Sequence, residues 1–166
     1  MEQPAADHAP SAQERAEHMA ALRARKLAEA EAMGVDAAYI SALVDRFYGK
    51  IRGDELLGPI FAGKITNWDV HLGRMKEFWR SVLHGTGEFS GNPMRKHVAM
   101  PELEERHFAH WLELFYATLR EMEPSADATA TVGSRARMIA DSLLTGIAMH
   151  HHGLVGSRAG ANLPQV

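Results

Sequence analysis

One histidine of this chain stands in an irregular stretch between two aromatic-rich segments that have helical patterning. His97 lies within Gly91–Pro101, where glycine and proline interrupt the helical pattern. A histidine on such a short connection can give one ring nitrogen to an iron ion, while its other N–H donates to a carbonyl that fixes the ring. The alternative is a solvated loop histidine, since most single histidines are not ligands. The neighbouring residues must decide between these interpretations.

Other side chains on the predicted helices carry polar groups that a buried ligand can use. His71 is followed by Met75 and Phe78 at steps of four and three, so the three project from one helical face suited to a flat cofactor. Tyr48 lies on the inward face of another helix, and a buried phenol needs a hydrogen-bond partner. Trp111 offers an indole N–H on a third helix. Taken alone, Tyr48 and Trp111 are better explained as ordinary aromatic core.

The composition limits the classes of function. The 166 residues suffice for one domain with one core. The absence of cysteine excludes disulfides, thiolate metal sites and iron–sulfur clusters. With 18 Lys+Arg against 21 Asp+Glu, no basic excess points to nucleic acid or to an anionic membrane. No apolar run approaches the ~20 residues of a membrane span, and the amino terminus lacks a signal core, so we expect a cytoplasmic protein.

Hydrophobic periodicity predicts an all-α domain over residues 35–150, with four core helices and no strand. The helices are predicted from Asp36 to Arg52, from the cap at Thr66–Asp69 to near Gly85, from Pro101 onward, and from about Ala126 to His150. The face predicted for the last helix comprises Val132, Met138, Ile139, Leu143, Leu144 and Ile147. Residues 85–101 are expected to be mostly irregular. Residues 1–34 are expected to form an appended, partly docked helix with a Ser11–Glu14 capping box, and residues 151–166 a flexible tail.

The remaining candidate metal ligands have simpler explanations. Glu104 and His107 form one Glu-x-x-His unit, whereas a di-iron bundle uses two such units and the second is missing. The run His150–His152 is interpreted as a frayed helix end, because adjacent residues on a helix point in different directions. His84, His107 and His110 lie beside the aromatic stripes and are interpreted as surface or boundary residues without a role.

Eight short segments, taken together, carry a family resemblance that covers about residues 38 to 148. They are Leu43–Ile51, Leu57–Phe61, Trp68–His71, Phe78–Trp79, Gly85–Gly87, Gly91–Pro93, His97–Pro101 and His107–Leu112. In this combination the chain resembles group III of the truncated haemoglobins. No single segment would suffice.

The resemblance implies a two-over-two helical sandwich around haem b (iron protoporphyrin IX). It matches His97 to the proximal iron ligand, and Tyr48, His71 and Trp111 to the polar distal positions. The residues expected to line the haem pocket are Phe61, Met75, Phe78, Met94 and Phe108.

Three cations near the two key histidines are candidate partners for the haem propionates. Arg95 and Lys96 flank His97, and Arg74 follows His71 by three residues. A guanidinium gives the better fork for a carboxylate. A solvated charged face is the alternative, because surface ion pairs are common and weak.

The implied function is binding of O₂ and other small ligands such as NO and CO, for storage, scavenging or sensing. An alternative is a haem redox enzyme with peroxidase-like or nitric-oxide dioxygenase activity and an external electron donor, because the same distal donors would polarise a peroxide. A third possibility, a haem-free helical interaction domain, predicts that the four polar groups scatter over the surface. The sequence does not choose between enzyme and carrier, and it does not indicate an oligomeric state.

Overall fold

A computed structural model gives the chain as seven α-helices and describes residues 9–122, 125–153 and 159–166. The helices are α1 (Ala12–Ala32), α2 (Ala37–Gly53), α3 (Gly58–Ala62), α4 (Trp68–His84), α5 (Pro93–Val98), α6 (Glu105–Glu121) and α7 (Ala126–His152). No strand occurs in these described ranges. The predicted all-α class is confirmed.

Two helix pairs form the body of the molecule. Helix α2 packs against α4, α6 packs against α7, and contacts between α2 and α6 join the pairs. The residues at the centre are apolar and at most 1% exposed; they include Ile40, Leu43, Phe47, Leu112, Phe115 and Leu119. This is the two-over-two sandwich that the resemblance implied, and α5 is added to it by contacts with α7.

The caps of α2 and α4 agree closely with the sequence prediction. The Asp36 carboxylate accepts from the Tyr39 N–H, and the Asn67 side chain accepts from the Val70 N–H, so each helix begins where its capping residue stands. Helix α4 ends at Gly85, whose φ of 70° is a left-handed conformation that glycine adopts without strain.

Helix α6 begins at Glu105 rather than at Pro101, because a reciprocal cap forms later in the chain. The N–H of Glu104 donates to Nδ1 of His107 at 2.9 Å, and the N–H of His107 in turn donates to the Glu104 carbonyl at 3.0 Å. His107 is therefore 7% exposed and has a structural role, contrary to the surface position predicted for it. The Glu-x-x-His unit is a helix cap.

Two short helices are missing from the sequence prediction. Helices α3 and α5 have five and six residues, each with a proline in its first turn. In α5 the Asn92 side chain also accepts from the Arg95 N–H. A helix of this length is too short to show hydrophobic periodicity, so the segment around His97 was expected to be irregular.

The packed face of α7 is formed mainly by small residues. Helix α7 extends to His152, and Ala128, Val132, Ala136 and Ala140 are at most 1% exposed on its inner side. Met138 is 56% exposed, so its predicted place in the core was wrong. Alanines at four-residue steps mark the buried face here, and a search for large apolar residues overlooks them.

Residues 159–166 pack against α6 and α7, although the composition predicts a flexible tail. Leu163 is 3% exposed, the Tyr116 hydroxyl donates to the Pro164 carbonyl at 2.9 Å, and the Arg137 guanidinium donates to the Leu163 carbonyl at 3.2 Å. These hydrogen bonds hold a segment without regular structure on the helices. Residues 154–158 of the predicted tail lie outside the described part of the chain.

Helix α1 is docked only near its carboxyl end. Its capping box is formed by Ser11 and Glu14 as predicted, Ala30 is its one buried residue, and its neighbour is α4. His84 of α4 is 4% exposed and donates to the carbonyl of Val35 at 2.7 Å, so this histidine fastens the α1–α2 turn and is not a surface residue. Residues 1–8 of the predicted extension lie outside the described ranges. Within those ranges, no helix combines the length and apolar character needed to cross a bilayer.

Candidate functional site

Tyr48 of α2 is the centre of an aromatic cluster between α2, α3 and α4. The side chain is 5% exposed. Its ring lies 5.1 Å from that of His71, 5.9 Å from that of Phe61 and 6.3 Å from that of Trp68, each in edge-to-face geometry. Burial raises the pKa of Tyr48 far above its usual value, so the side chain is a neutral phenol that can donate a hydrogen bond.

His71 carries a buried nitrogen without a partner. The Nε2 atom makes no hydrogen bond to any residue of the described part of the chain. Burial lowers the pKa of His71, and the nearby positive charges of Lys96 and Arg74 lower it further. The ring is therefore neutral at physiological pH and has an unused polar atom facing the interior.

Trp111 of α6 reaches the same region through its contacts with α2. Its ring stacks on that of Phe115 at 5.4 Å, with an angle of 14° between the planes, and meets the edge of Phe47 at 5.3 Å. Phe47 in turn contacts its neighbour Tyr48 at 5.1 Å. The indole is half-buried. The fold thus joins Tyr48, His71 and Trp111 through one continuous aromatic cluster.

His97 is held on α5 by a hydrogen bond within its own helix. Its Nδ1 lies 2.7 Å from the Pro93 carbonyl and must donate to it, because a carbonyl only accepts. Burial lowers the pKa of His97, against the opposing effect of that hydrogen bond, so the ring is neutral. Phe108 lies 6.4 Å away between ring centres. The remaining nitrogen, Nε2, is in the protonation state that a metal ligand needs.

The residues predicted to line a flat cofactor fall into two groups. Phe61 contacts Tyr48, Phe108 is 7% exposed beside His97, and Met75 and Phe78 are half-buried on α4. Met94 instead reaches α7, where its side chain occupies the space that a Cβ on Gly146 would need. Met94 therefore supports α5 against α7.

Three cations lie on the helices that carry the histidines. Arg74 and Lys96 are both close enough to His71 to lower its pKa, although they belong to α4 and α5. Arg95 is exposed on α5. Within the described ranges none of the three pairs with a carboxylate, whereas Lys76 of α4 pairs with Asp45 at 2.9 Å.

The sequence did not predict a cation–π contact that lies beside His71. The Arg52 guanidinium lies 4.7 Å from the ring centre of Trp68, and that ring meets the edge of His71 at 5.8 Å. Trp68 appeared in the sequence only as part of a family segment. Its position three residues before His71 was the available signal, because residues at this spacing share a helical face.

A second missed contact joins α6 to the turn after α2. His110, predicted to be without a role, donates from Nε2 to the Asp54 carboxylate at 2.6 Å. The same carboxylate accepts from the N–H of Leu57 at 2.8 Å, so it also orders the entry to α3. No periodicity links residues 54 and 110, which are far apart in sequence, so only the fold reveals this pair.

The described residues contain no group of three or more His, Cys, Asp or Glu side chains that could hold a metal ion among themselves. The sites that remain for a metal are single histidines. His97 and His71 are two partly buried histidines in the body of the sandwich, and burial lowers the pKa of each.

Comparison with known proteins places most of this helical body in one family. Residues 30–143 match the family model described as bacterial-like globin. A group 3 truncated haemoglobin of Campylobacter jejuni is 34% identical over 105 residues, which are 61% of this chain and 82% of that protein. The group 1 truncated haemoglobin GlbN of a Nostoc species is 33% identical over 69 residues, which are 42% of this chain and 57% of that protein.

Solved structures agree with this assignment. The crystal structure of the group III truncated haemoglobin from Campylobacter jejuni matches with a TM-score of 0.63 at 32% identity, covering 68% of this chain and 91% of that one. The 2/2 haemoglobin of Synechococcus sp. PCC 7002, solved in the cyanomet state with covalently attached haem, matches with a TM-score of 0.61 at 27% identity. That match covers 70% of this chain and 97% of the other.

Proposed function

The chain belongs to the bacterial-like globin family and is a group III truncated haemoglobin; on that premise we propose that it binds haem b on His97 and holds a small ligand with Tyr48, His71 and Trp111. Haem-based binding of a small ligand follows from the family. The haem type, the ligating residue and the three distal roles are our proposal. They rest on the geometry of the two histidines and their surroundings.

The buried Nε2 of His71 is the observation that carries the proposal. Leaving such a group without a partner costs about 1–3 kcal/mol, so a folded protein retains it only where something else satisfies it. No described residue does so. A diatomic ligand that gains partial negative charge on binding would supply the missing acceptor, and the neutral ring of His71 has one N–H to donate.

His97 has the properties required of the opposite ligand. Its Nδ1–H is used by the Pro93 carbonyl, which leaves Nε2 unprotonated and fixes the direction of its lone pair. Because the pKa of His97 is lowered, Nε2 stays unprotonated near neutral pH. A histidine prepared in this way fits haem iron.

Haem, when bound, supplies an iron with an open coordination position for O₂ or another diatomic molecule. The chain contributes hydrogen-bond donors above that position. The Tyr48 phenol is kept neutral by burial, and the Trp111 indole N–H cannot lose its proton. At ~1.5–3 kcal/mol for each hydrogen bond to a charged acceptor, two donors slow ligand release by about two to four orders of magnitude. This favours retention of the ligand over delivery.

Arg74, Arg95 and Lys96 complete the fit of the site to haem. Within the described ranges none of these three side chains pairs with a carboxylate, so each is available to bind a haem propionate. The charges of Arg74 and Lys96 meet near His71 from two different helices. Propionates bound there would also relieve the repulsion between these two charges.

Absorption spectra of the purified protein test the proposal. We expect spectra of an oxidised haem, of a reduced haem with an open coordination position, and of a carbon monoxide adduct after CO is added. A protein that takes up no haem would contradict the assignment of the cofactor. A reduced spectrum that CO leaves unchanged would contradict the open position.

Extraction with acidified butanone tests the haem type. The chain has no cysteine and so cannot form the thioether links of c-type haem. We expect all of the haem to enter the organic phase and to give the pyridine haemochrome spectrum of protoporphyrin IX. Haem that stays with the protein would instead indicate a covalent link, as in the structure of the Synechococcus relative.

A further inference from the structure

Four side chains form a continuous series of contacts from the surface to the aromatic cluster around Tyr48. The exposed guanidinium of Arg52 lies 4.7 Å above the ring of Trp68. Trp68 meets the edge of His71 at 5.8 Å and that of Tyr48 at 6.3 Å, and His71 meets the edge of Tyr48 at 5.1 Å. Arg52 belongs to the last turn of α2 and Trp68 to the first turn of α4, so these contacts connect the end of one helix to the start of the other.

We propose that Arg52 and Trp68 form a latch that holds the His71 ring inside the pocket and thereby sets the rate at which small ligands enter. The inference rests on the proposed function, in which His71 stands over the ligand position. It assigns positioning roles to two residues that would act through His71.

The direction of helical side chains gives the first step of the argument. Long side chains on an α-helix lean toward its amino terminus, over the turn that precedes them. For His71 that turn is occupied by Trp68, three residues earlier. An outward swing of the imidazole therefore crosses the indole. Trp68 is half-buried and packs against the core, so it does not yield this space without a cost of its own.

Arg52 covers the indole of Trp68 from the solvent side and so opposes its displacement. Its neighbour Lys50 pairs with Glu121 at 2.6 Å, but among the described residues Arg52 has no carboxylate partner and lies on the indole instead. A cation–π contact at an exposed site shifts an equilibrium by about two- to fivefold. Opening the latch should thus be a frequent event that Arg52 makes measurably rarer.

The rate of CO association after flash photolysis is the first test. Methionine at position 52 keeps most of the stem of the side chain and removes its charge. We expect association to rise by about two- to fivefold in Arg52→Met, and to keep the parent rate in Arg52→Lys, which restores a cation over the indole. Arg46→Met is the matched control, since Arg46 is exposed on the same helix and the cation–π contact with Trp68 is made by Arg52. An unchanged rate in Arg52→Met, or an equal rise in Arg46→Met, overturns the latch.

A double-mutant comparison separates the latch from the gate. His71→Leu removes the ring that the latch holds, so Arg52→Met should have no further effect on association in that background. The same factor in both backgrounds would show that Arg52 acts by another route. If His71→Leu itself binds CO no faster than the parent, the gate fails and the latch fails with it. If His71→Leu binds CO faster than the parent and Arg52→Met binds it at the parent rate, the latch alone is contradicted.

Chemical modification of the purified protein gives a readout that does not depend on ligand binding. Diethyl pyrocarbonate reacts with accessible histidine nitrogens, and peptide mass spectrometry measures the reaction at His71 separately from the other histidines. We expect faster modification of His71 in Arg52→Met and in Trp68→Leu, with the parent rate in Arg46→Met. If Trp68→Leu does not fold, the surface variant Arg52→Met still decides the question. Equal rates in Arg52→Met and the parent would contradict the proposal.

Discussion

His97 donates a hydrogen bond of 2.7 Å from Nδ1 to the carbonyl of Pro93, one turn earlier in the same six-residue helix. The imidazole is therefore oriented by the backbone of α5 itself. The proline that opens this helix and the Asn92 side chain that caps it fix that backbone in turn. The orientation of the His97 ring therefore changes only when α5 moves.

Replacing His97 with alanine should abolish stable binding of haem iron. No other imidazole has its ring held beside Phe108 in the described part of the chain, and the cavity left behind admits only water or added imidazole. We expect apoprotein on purification, and partial recovery of the parent spectrum when imidazole is added. His18→Ala, an exposed histidine on α1, should keep the parent haem content. If His97→Ala keeps that content and an unchanged ferrous spectrum, the proximal assignment is wrong.

Replacing Trp111 with phenylalanine distinguishes a hydrogen-bond donor from an aromatic core residue. Phenylalanine can keep most of the stacking on Phe115 and loses the indole N–H. We expect O₂ to dissociate roughly tenfold faster or more, equivalent to ~1.4 kcal/mol, with a smaller change for carbon monoxide, which carries less charge. Stopped-flow measurements with both ligands give the contrast.

Trp79→Phe is the control for the Trp111 experiment. Trp79 also stacks on Phe115, at 5.1 Å between ring centres, and is only 3% exposed within the core. This variant should lose stability without a difference between O₂ and carbon monoxide. If Trp111→Phe behaves in the same way, Trp111 is a core residue and oxygen stabilisation belongs to Tyr48.

The two polar residues that face each other in the pocket should affect different rates. His71→Leu removes the proposed gate while keeping similar volume, so ligand association should rise more than dissociation. Tyr48→Phe leaves the proposed gate in place and removes a buried donor, so O₂ dissociation should rise more than association. Stopped-flow rates for both variants check this division. Equal association rates in His71→Leu and the parent would remove the gating role of His71.

The His110–Asp54 pair makes stability depend on pH. The hydrogen bond to Asp54 raises the pKa of His110, so its stabilising contribution is complete below the ordinary value of about 6.5 and is lost as the pH rises through the raised value. For Asp54, burial acts to raise the pKa, but hydrogen bonds from His110 and Leu57 outweigh it and lower the pKa overall. Its contribution is complete above about pH 3.9 and is lost as the pH falls through the lowered value.

His110→Gln should therefore lower the melting temperature more at pH 6 than at pH 9. Glutamine still donates to Asp54 but carries no charge. The histidine side chain is 32% exposed, so we expect a loss of at most about 1 kcal/mol at pH 6. Thermal unfolding of both proteins followed by circular dichroism measures it. The same difference at both pH values would mean that the charge of His110 contributes nothing.

The sequence predicted those parts of the fold whose signal is local. The side chains of Asp36 and Asn67 cap α2 and α4 and accept from N–H groups three residues later, so the local sequence predicted where both helices start to within a few residues. The start of α6 was missed, because the pair Glu104 and His107 resembled metal ligands more than a helix cap. The spacing of Glu104 and His107 was visible in the sequence, but it did not show whether the pair caps a helix or binds a metal.

In the candidate site, too, local features could be predicted from the sequence and features that depend on burial or packing could not. The individual roles proposed for Tyr48, His71 and His97 came from the family resemblance, and nothing in the sequence could have given the unpartnered Nε2 of His71, which depends on burial. The contacts between Arg52 and Trp68 and between Asp54 and His110 join separate helices. Such pairs follow from the packing of α2 on α4 and α6, which periodicity does not specify.

All three tryptophans of the chain belong to the aromatic cluster that contains Tyr48 and His71. Trp68 touches His71, and Trp111 and Trp79 both stack on Phe115. Porphyrin absorbs at the wavelengths where indole emits, so a bound haem would quench the entire intrinsic fluorescence of the protein. The polypeptide thus contains its own optical indicator, with dark holoprotein and bright apoprotein, and no tryptophan elsewhere contributes a background. Haem transfer to or from this protein can be followed by emission alone, without a label.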